Sequence, residues 1–592
     1  MIMRFQMYNF KFQIGVMVCA LACSMSIMAQ QDSALNRSVT VERDFQPVIQ
    51  SAGKVSTKPA VKTMTIEPVP VEYSEYTADV TPEASLSPML SQPTRFVPGR
   101  PYNGYVRGGL GHANTLFDFG YHLDDGKKSI LDVYAHHKAE WGKPALSKSI
   151  VGMDFTHPFS TCDLYFGVNG GNLYYHRHGD LYKAKQPNNT TTLWSAEAYL
   201  GVKANAKQDI QYQAQTGYMI FSKSGAVNEH QIRTKASFDW HSDVHHVGAK
   251  VYVQNNILQL TGLSAVIPDS AVNPCHDIRI EPYYAYEGSR IRLHLGVNLD
   301  MNYGAGQNSL SGIREFSFAP SPNIHLEAQI AKQWLTIYAD VTGEHDSGSL
   351  QDFMEDNRYH LIHQGILDYH YASYVPVNAE LGFHIRPHRD LLVEIHGGYA
   401  YMLKQTNLVA HVDSALFAPL NNVYYQPGDF GYFYATYQRG KIGGQVNYHY
   451  RDYVRVNLNG DYYFWSSDST VYDRPNWDLA LRIDGRIDKH WSLYSENVFE
   501  GSRLALVSDG SEHRLKPRVD LNLGVQYEMW VGNKVEKVKA KGDKGEQILR
   551  PEPQPNLILF AQLNDFIHYR NEIFYNYHTA GINFLIGATF RF

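Results

Sequence analysis

The sequence predicts an all-β protein: a transmembrane antiparallel β-barrel of about 22 strands with an N-terminal periplasmic extended segment. Three observations favour this fold class. From about residue 103 to the C-terminus, apolar and polar residues alternate over successive stretches that end in turn residues. Tyrosine occupies 42 of the 592 positions, whereas charged residues make up only 19%. Beyond residue 30 no run of about 18 apolar residues occurs, so the sequence predicts no helical membrane span.

Charge and composition exclude several function classes. The 53 Lys and Arg residues against 59 Asp and Glu residues give a net charge of −6, which does not favour binding to nucleic acid. Apolar residues reach 44% without triplet or heptad repeats, which excludes collagen, coiled coils and wholesale disorder. A large barrel in a lipid membrane is the class that remains for this Tyr-rich chain.

Residues 1–29 have the pattern of a secretory signal peptide. Arg4 and Lys11 give it a positive start, a mostly apolar stretch follows, and the small residue Ala29 ends it. A lipoprotein signal that is cut before Cys23 is the alternative, but it would leave several apolar residues at the start of the mature chain. We therefore expect export and cleavage after Ala29.

Residues 30–102 form a Pro-rich segment that we expect to be an extended periplasmic lead-in. Proline lacks a backbone N–H, so the repeated prolines argue against a regular sheet here. The β-prone stretch Val39, Thr40 and Val41 favours a second interpretation, in which the segment pairs as a strand with a partner protein.

Residues 103–592 carry the alternation that predicts the barrel. In Ile291–Tyr303 every odd position is apolar and every even position is polar or glycine. Val454–Phe464 and Val519–Met529 alternate in the same way. A period of two gives each strand one apolar and one wet face. So many such strands after an export signal favour a barrel with lipid outside and a polar lumen over a soluble sandwich.

Connector lengths order the strands, because bacterial outer-membrane barrels have short periplasmic turns and long external loops. Very short polar links alternate with longer connections, which are 178–191, 263–277, 305–317, 346–375, 405–439, 467–474 and 507–513. About eleven up-down pairs result, and an even strand number places both termini in the periplasm. This count requires that 430–438 belong to a folded external loop rather than to a strand.

The tryptophans and cysteines test this strand order. We expect tryptophan near both membrane interfaces. Four are predicted near the periplasmic turns (Trp240, Trp334, Trp491, Trp530) and four near the outer strand ends (Trp141, Trp194, Trp465, Trp477).

Cys162 and Cys275 remain after export, and the strand order puts them at opposite ends of the barrel. A disulfide tolerates a Cα separation of only about 7 Å, so we expect none within the chain.

The sequence predicts neither a catalytic nor a metal site, and no cofactor. It has no G-x-S-x-G motif, and Ser222 and Ser224 near a rim are expected to be solvated, so an enzyme is not predicted. Histidines and aspartates gather in and beside the connection 346–375 without the spacing of a complete ligand set: His345, His360, His363, His370, Asp352 and Asp356. We expect these to be solvated too. Residues 350–367 are compatible with a short helix over the pore mouth.

The insert 531–556 is long for the periplasmic side on which the strand order places it. Five lysines mark it, with acidic residues among them: Lys534, Lys537, Lys539, Lys541 and Lys544, of which the first four are the candidate contact. One interpretation is a charged, mobile tongue. The other is a contact for a periplasmic partner.

The predicted inward faces mix both signs of charge, as Arg292, Asp300, Arg455 and Asp461 show. A pore for ions of one sign would carry a dominant ring of the opposite charge. Mixed charge favours ladders that brace a wide lumen, or a passage for neutral polar solutes.

The end of the chain carries a family resemblance. Leu559–Phe566 is followed by Phe574–Tyr577, then by Gly581-Ile-Asn-Phe-Leu-Ile-Gly587 and a terminal Phe592. This run resembles the last two strands of TonB-dependent receptors, and Lys516–Leu523 resembles the strand before them. The resemblance implies an outer-membrane location and coupling to a TonB-type protein, with Val39, Thr40 and Val41 as the contact. Such receptors also carry a folded N-terminal plug, for which residues 30–102 are too few and too rich in proline.

The leading hypothesis is therefore receptor-like solute transport across a bacterial outer membrane, with outer-membrane lipid and a TonB-type energy-coupling protein as partners. The alternative is a non-transporting barrel that docks partner proteins in an envelope assembly or secretion complex. The missing plug favours the alternative, whereas the receptor-like C-terminus favours transport.

Overall fold

The computed structural model describes residues 103–592 except for the following: 125–128, 142–144, 180, 182–189, 206–209, 269–271, 273, 305–315, 332–333, 347, 357, 368–372, 531–536, 542–546 and 552–554. The expected signal peptide at 1–29 and the Pro-rich segment at 30–102 lie outside the described residues. In the described part of the chain, helices are too short and too polar to cross a membrane.

Strands make up nearly all of the described chain. They are β1 (Gly104–Gly111), β2 (Asn114–Asp124), β3 (Ile130–Glu140), β4 (Leu146–Pro158), β5 (Cys162–His176), β6 (Thr190–Ala204), β7 (Ile210–Lys223), β8 (Val227–Ser242), β9 (His245–Leu260), β10 (Cys275–Glu287), β11 (Ile291–Tyr303), β12 (Phe316–Ala331), β13 (Leu335–Asp346), β14 (Ser373–His388), β15 (Leu391–Ala410), β16 (Ala415–Leu416), β17 (Tyr424–Tyr425), β18 (Phe430–Tyr450), β19 (Val454–Ser466), β20 (Trp477–Arg486), β21 (Trp491–Glu500), β22 (Arg503–Val507), β23 (Glu512–Leu515), β24 (Arg518–Trp530), β25 (Lys537–Lys541), β26 (Gln547–Pro551), β27 (Asn556–Asn564), β28 (Glu572–Phe574), β29 (Tyr577–His578) and β30 (Asn583–Arg591). Two helices, α1 (Leu350–Asp356) and α2 (Ile362–Leu367), lie between β13 and β14.

Within the described residues, 22 strands form one closed antiparallel barrel: β1–β15, β18–β21, β24, β27 and β30. Each pairs with the next along the chain, and β30 closes the ring on β1. At the seam the Gly104 N–H donates to the Phe592 carbonyl at 2.8 Å, and the Phe592 N–H donates back at 2.9 Å. The predicted fold class and strand number are confirmed.

The two ends of the barrel differ in their connections. One end has short turns, of which 159–161, 243–244, 288–290, 389–390, 451–453 and 487–490 are fully described. The other end carries the long loops, including 347–372, 411–429, 501–517 and 565–582. Cys162 begins β5 at the short-turn end and Cys275 begins β10 at the long-loop end, and both are free thiols. The expectation of no disulfide between them is confirmed.

The pairing register separates an apolar outer face from a polar inner one. Outward side chains such as Val151, Leu200 and Ile442 are exposed to 59%, 51% and 56%. Arg292, Asp300, Arg455 and Asp461 all lie on the opposite, inward face, as predicted from the alternation. A closed barrel leaves no unpaired strand edge, which is what an apolar outer face in lipid requires.

Inward tyrosines lie across glycines that stand directly opposite them on the neighbouring strand. These pairs, here called Tyr–Gly joints, are Tyr134–Gly152, Tyr165–Gly201, Tyr199–Gly167, Tyr283–Gly248, Tyr338–Gly382 and Tyr494–Gly524. At each of these glycines, a Cβ atom would overlap the tyrosine ring. Several of the hydroxyls then bind carboxylates, as Tyr338 does to Glu380 and Glu394, both at 2.7 Å. The joints fix strand register through inward side chains.

The assignment of 430–438 to an external loop is wrong. These residues are the first part of β18, which pairs with β15 out to Ala410–Phe430. The strand count is unchanged because the extension is continuous with the barrel part of β18. Its first residue, Phe430, is buried against Ala410 and Tyr577, so contacts with other loops stabilise a strand that reaches beyond the barrel.

All eight tryptophans lie at or near strand ends, four at the short-turn end and four at the long-loop end, as predicted. Trp141, Trp194, Trp240 and Trp334 are exposed to 46%, 53%, 47% and 52%. Trp465 differs, because it shares the inward face with Arg439 and donates its ring N–H to the Pro475 carbonyl at 2.9 Å.

The long insert does fall at the short-turn end, between β24 and β27. Its described part is a separate antiparallel hairpin, in which Lys537 is opposite Pro551 and Lys541 is opposite Gln547. It forms its own two-stranded sheet, apart from the barrel.

Candidate functional site

Two connections at the long-loop end fold into one structure, here called the lid: Ser349–Asp356 with Arg358–Leu367, which contain α1 and α2, and the loop 411–429. The lid shares an apolar core with the inward faces of β5 to β9. Strand residues Leu173, Tyr175, Leu193, Phe221, Val227 and Leu258 meet Leu350, Met354, Leu361, Ile362, Ile366, Leu367, Phe417, Leu420, Val423 and Tyr425 from the lid. Burial of apolar surface stabilises by roughly 25 cal/mol per Å². A dry core of this size therefore holds the lid against the barrel wall.

A buried carboxylate positions the first helix. Glu229 projects inward from β8, is 0% exposed, and accepts hydrogen bonds from the Leu350 and Gln351 N–H groups, both at 3.0 Å. The first N–H groups of a helix have no partner within the helix, and the helix dipole favours a negative charge there. Ser349 and Asp352 complete the N-terminus, since the Ser349 hydroxyl lies 2.6 Å from the Asp352 carboxylate.

The loop 411–429 is tied to α2 and to β5. The Tyr425 hydroxyl donates to the Gln364 side-chain carbonyl at 2.8 Å, and His411 stacks on the Tyr425 ring with centroids 3.7 Å apart. Arg177, which follows β5, forms an ion pair with Asp429 and also donates to the His360 carbonyl at 3.5 Å. These contacts join segments that are far apart along the sequence.

A third loop, 565–582, lies against the lid. The Tyr577 hydroxyl donates to the Gly428 carbonyl at 2.9 Å, and the Tyr577 ring stacks on Tyr359 with centroids 3.9 Å apart. A ring nitrogen of His178 lies 3.2 Å from the His578 carbonyl. The long-loop end is thus one connected structure rather than a set of separate loops.

Burial changes the titration of several lid groups. It lowers the pKa of His363 and of His411 to about 4, since a buried imidazole is poorly hydrated in its charged form. Burial also raises the pKa of the Asp429 carboxyl, against the opposing effect of the Arg177 guanidinium. Both histidines are therefore neutral in the folded lid at neutral pH.

The lumen wall away from the lid carries paired charges. Lys250 lies 3.0 Å from Glu281, Arg482 lies 3.2 Å from Asp484, and Arg518 lies 3.2 Å from Glu500. Positive and negative groups alternate, so neither sign forms a ring on these parts of the wall. The arrangement braces the barrel and leaves a wet, nearly neutral inner surface.

Glu380, Glu394 and His396 bring three potential metal-ligand atoms within 4.8 Å of one another on this wall. Each already has protein partners. Lys441 forms an ion pair with Glu380, Tyr338 donates to both glutamates, and His396 lies 2.7 Å from Asp461. These protein partners satisfy the cluster, which braces neighbouring strands of the wall.

Only some of the site residues predicted from sequence fall within the described part of the chain. Val39, Thr40, Val41 and Lys534 lie outside the described residues, and Lys537, Lys539 and Lys541 lie on β25 at the far end from the lid. Ser222 is on the outward face of β7, opposite Trp194. The expected helix over the mouth is present as two helices, α1 and α2.

The expectation that the histidines beside these helices are solvated is wrong for His360, which is 1% exposed and packs against Phe353, and for His363, whose pKa is lowered by burial. Sequence reasoning also missed Glu229, Arg177 and Tyr577. The one local signal was Ser349-Leu-Gln-Asp352, a capping pattern that marks the start of α1.

Neither a protein-family model nor a curated protein matches the sequence. Solved structures do share its fold. A variant of the ferric enterobactin receptor PfeA of Pseudomonas aeruginosa, in complex with enterobactin, has a TM-score of 0.59 at 11% identity, over 83% of this chain and 82% of that chain. The FrpB iron transporter of Neisseria meningitidis has a TM-score of 0.60 at 8% identity, over 83% and 81%.

The copper transporter OprC has a TM-score of 0.59 at 11% identity, over 85% of this chain and 82% of that chain. Identities this low establish the fold alone. All three are described as receptors or transporters, not as enzymes. The described part of the chain shares the barrel fold of these receptors and transporters.

Proposed function

We propose that this protein is an outer-membrane receptor that carries a solute through its barrel and is gated by the lid. The observation that carries the proposal is a closed 22-stranded barrel, apolar outside and polar inside, with a folded lid at its long-loop end. The long loops face the cell exterior, and the short turns and both termini face the periplasm, as is the rule for such barrels. The receptor-like C-terminal run and the fold of known receptors support this assignment.

In the proposal the lid, which packs on the inward faces of β5 to β9, closes the passage and must move for solute to enter. In the proposal, binding of solute shifts the lid between closed and open arrangements. A TonB-type protein supplies energy from the periplasm through the N-terminal segment, with Val39, Thr40 and Val41 as the contact. Deletion of residues 39–41 would then abolish energised uptake and leave the amount of folded barrel unchanged.

Planar-bilayer conductance of the full chain tests the gate. We expect a small conductance for the wild type and a several-fold larger one for Glu229→Gln, because the neutral amide is a weaker acceptor at the α1 N-terminus. Glu327→Gln is the matched control: Glu327 is paired with Arg292 on the wall, away from the lid. A variant in which 349–367 is replaced by a short Gly-Ser linker should conduct most. If it conducts no more than the wild type, the proposed passage is contradicted.

A second candidate function is docking of a periplasmic partner, and the separate β25–β26 hairpin favours it. The hairpin extends a connection at an end where the other fully described turns are only a few residues long. Its lysine-rich strand suits an acidic protein surface. Deletion of 534–550, followed by identification of the proteins that co-purify from membranes, tests this function. An unchanged set of proteins would eliminate the hairpin as the docking contact.

A further inference from the structure

The inward faces of β8 to β11 carry a continuous patch of amide and carboxyl side chains. In the pairing register Gln231 is opposite Asn256, Gln254 is opposite Asp277, and Asp277 is opposite Asn302. These five residues are here called the carboxamide patch. Gln231 and Asn256 are 0% exposed, Asn302 is 1% exposed, and Gln254 and Asp277 are each 7% exposed.

The carboxamide patch lies directly beside the lid. Gln231 is the next inward residue after Glu229, which binds the N-terminus of α1. Asn256 is the inward residue before Leu258, which belongs to the apolar core that the lid shares with the wall. The lid therefore packs immediately beside Gln231 and Asn256, and movement of the lid would open this end of the patch to the lumen.

Part of the hydrogen-bonding capacity of the patch is unused in this closed arrangement. Gln254 donates to the Asn256 side-chain carbonyl at 3.1 Å, and Asn302 donates to Asp277. In contrast, the side-chain oxygen and nitrogen of Gln231 have no hydrogen-bond partner among the described residues. The side-chain nitrogen of Asn256 has none either. Burial of an unsatisfied polar group is costly, so such groups require an explanation. A ligand that binds when the lid moves would provide one.

The chemistry of the patch indicates the class of ligand. A carboxamide both donates and accepts, so it matches a hydroxyl group, which does the same. Asp277 and Arg233 both stand opposite Gln254 in the register, one on each neighbouring strand, so the patch and its border carry one negative and one positive group here. The neighbouring guanidinium of Arg279 is engaged by Asp300 at 2.5 Å and by the His345 carbonyl at 2.6 Å. The patch thus has many neutral polar groups and no excess charge to attract an ion.

We propose that the carboxamide patch is a binding surface for a neutral, hydroxyl-rich solute of the oligosaccharide class, and that the lid borders this surface in the closed state. This inference rests on the proposed function, because it names the kind of solute that the barrel would carry.

The test uses the full chain in detergent and isothermal titration with three neutral trisaccharides (maltotriose, cellotriose and raffinose) and with two acids (galacturonate and citrate). We expect a neutral sugar to bind and Gln231→Leu to weaken its binding by about tenfold or more. The same substitution should raise the unfolding temperature, because it removes an unsatisfied buried amide. A merely structural glutamine would give the opposite change in stability. Gln445→Leu, an inward glutamine on β18 across the barrel, is the matched control and should change neither affinity nor stability by a comparable amount.

Three outcomes would overturn the inference: equal affinity of Gln231→Leu and the wild type, preferential binding of the acids, or binding of none of the probes. Uptake of the same sugars into vesicles that contain the protein separates this result from the proposed function. Uptake that is unaffected by Gln231→Leu would reject the patch and retain transport. Passage of no solute at all, even with the lid segment replaced, would reject transport itself.

Discussion

At the scale of single residues, the inner wall is built from contacts that tolerate little change in volume. Each Tyr–Gly joint leaves no room for a side chain at its glycine. Glycine usually weakens a strand because it has no side chain to pack. Here a tyrosine ring from the neighbouring strand fills the space that a side chain would occupy. The ring position also allows the hydroxyl to donate a hydrogen bond to an acceptor on the wall, as Tyr283 does to Asp239 at 2.5 Å.

Gly382→Ala tests the importance of these joints. The added methyl overlaps the ring of Tyr338, so we expect a loss of about 1–3 kcal/mol in the free energy of unfolding, as is typical of overpacking. The measurement is urea unfolding of the detergent-solubilised barrel, followed by heat-modifiable gel mobility. Gly485→Ala is the control, because an added Cβ there has no atom within 4 Å.

The double variant Gly382→Ala, Tyr338→Leu adds a second check. Removing the ring should relieve the overlap, so the two substitutions together should cost less than the sum of their separate effects. Strict additivity would show that the ring and the glycine do not act as a joint.

At the scale of elements, the lid is an assembly of short pieces that are not stable alone. Helices of seven and six residues are too short to persist in water. They persist here because they share an apolar core with five barrel strands and because Glu229 binds the first of them. The lid should therefore respond as one unit to a change in any of its anchoring contacts.

Acid should loosen the lid. His363 and His411 have a pKa near 4 when folded, against an ordinary value of 6.5, so the unfolded lid binds more protons between these values. The contribution of these two histidines to the stability of the lid is then fully present above pH 6.5, and it is lost progressively as the pH falls toward 4. The measurement is hydrogen exchange of residues 350–367 as a function of pH.

The Asp429 carboxyl has a raised pKa and acts in the opposite direction, because the folded lid binds its proton more readily. The variant His363→Gln, His411→Gln isolates the histidines. If it loosens on acidification as much as the wild type does, the histidines are not responsible for the effect.

The elements that the sequence predicts well are those with local signals. Alternation and turn chemistry depend on neighbouring residues, and they gave the 22 strands in the correct order. The lid depends on residues that are distant along the chain: Glu229 contacts Leu350 across 121 positions, and Arg177 contacts Asp429 across 252. The extension of β18 over 430–438 was missed for the same reason, since contacts with the lid and with Tyr577 stabilise it.

At the scale of the whole molecule, closure of the ring depends on the two ends of the described chain. Besides the two backbone hydrogen bonds with Gly104, the Phe592 ring stacks on Tyr121 and on Phe590, with centroids 6.1 and 5.8 Å apart. Phe592 therefore contributes to the seam through both its backbone and its ring.

Phe592→Ala should lower the yield of folded barrel, because it removes the aromatic contacts at the seam. The measurement is the fraction of outer-membrane protein with heat-modifiable mobility after expression. Ile586→Ala is the control on the same strand, since Ile586 faces outward, is 60% exposed and has no ring. Equal yields for the two variants would contradict a special role of the last residue.

The Tyr–Gly joints also have an evolutionary consequence. A glycine in a joint can acquire a side chain only if its tyrosine shrinks, so the two positions should change together in descendants of the same ancestor. The partners are separated by the span of one hairpin, which makes the co-variation recognisable without any overall similarity of sequence. Barrels that have diverged beyond detection by sequence alone should therefore remain traceable by the spacing of their coupled tyrosine and glycine positions.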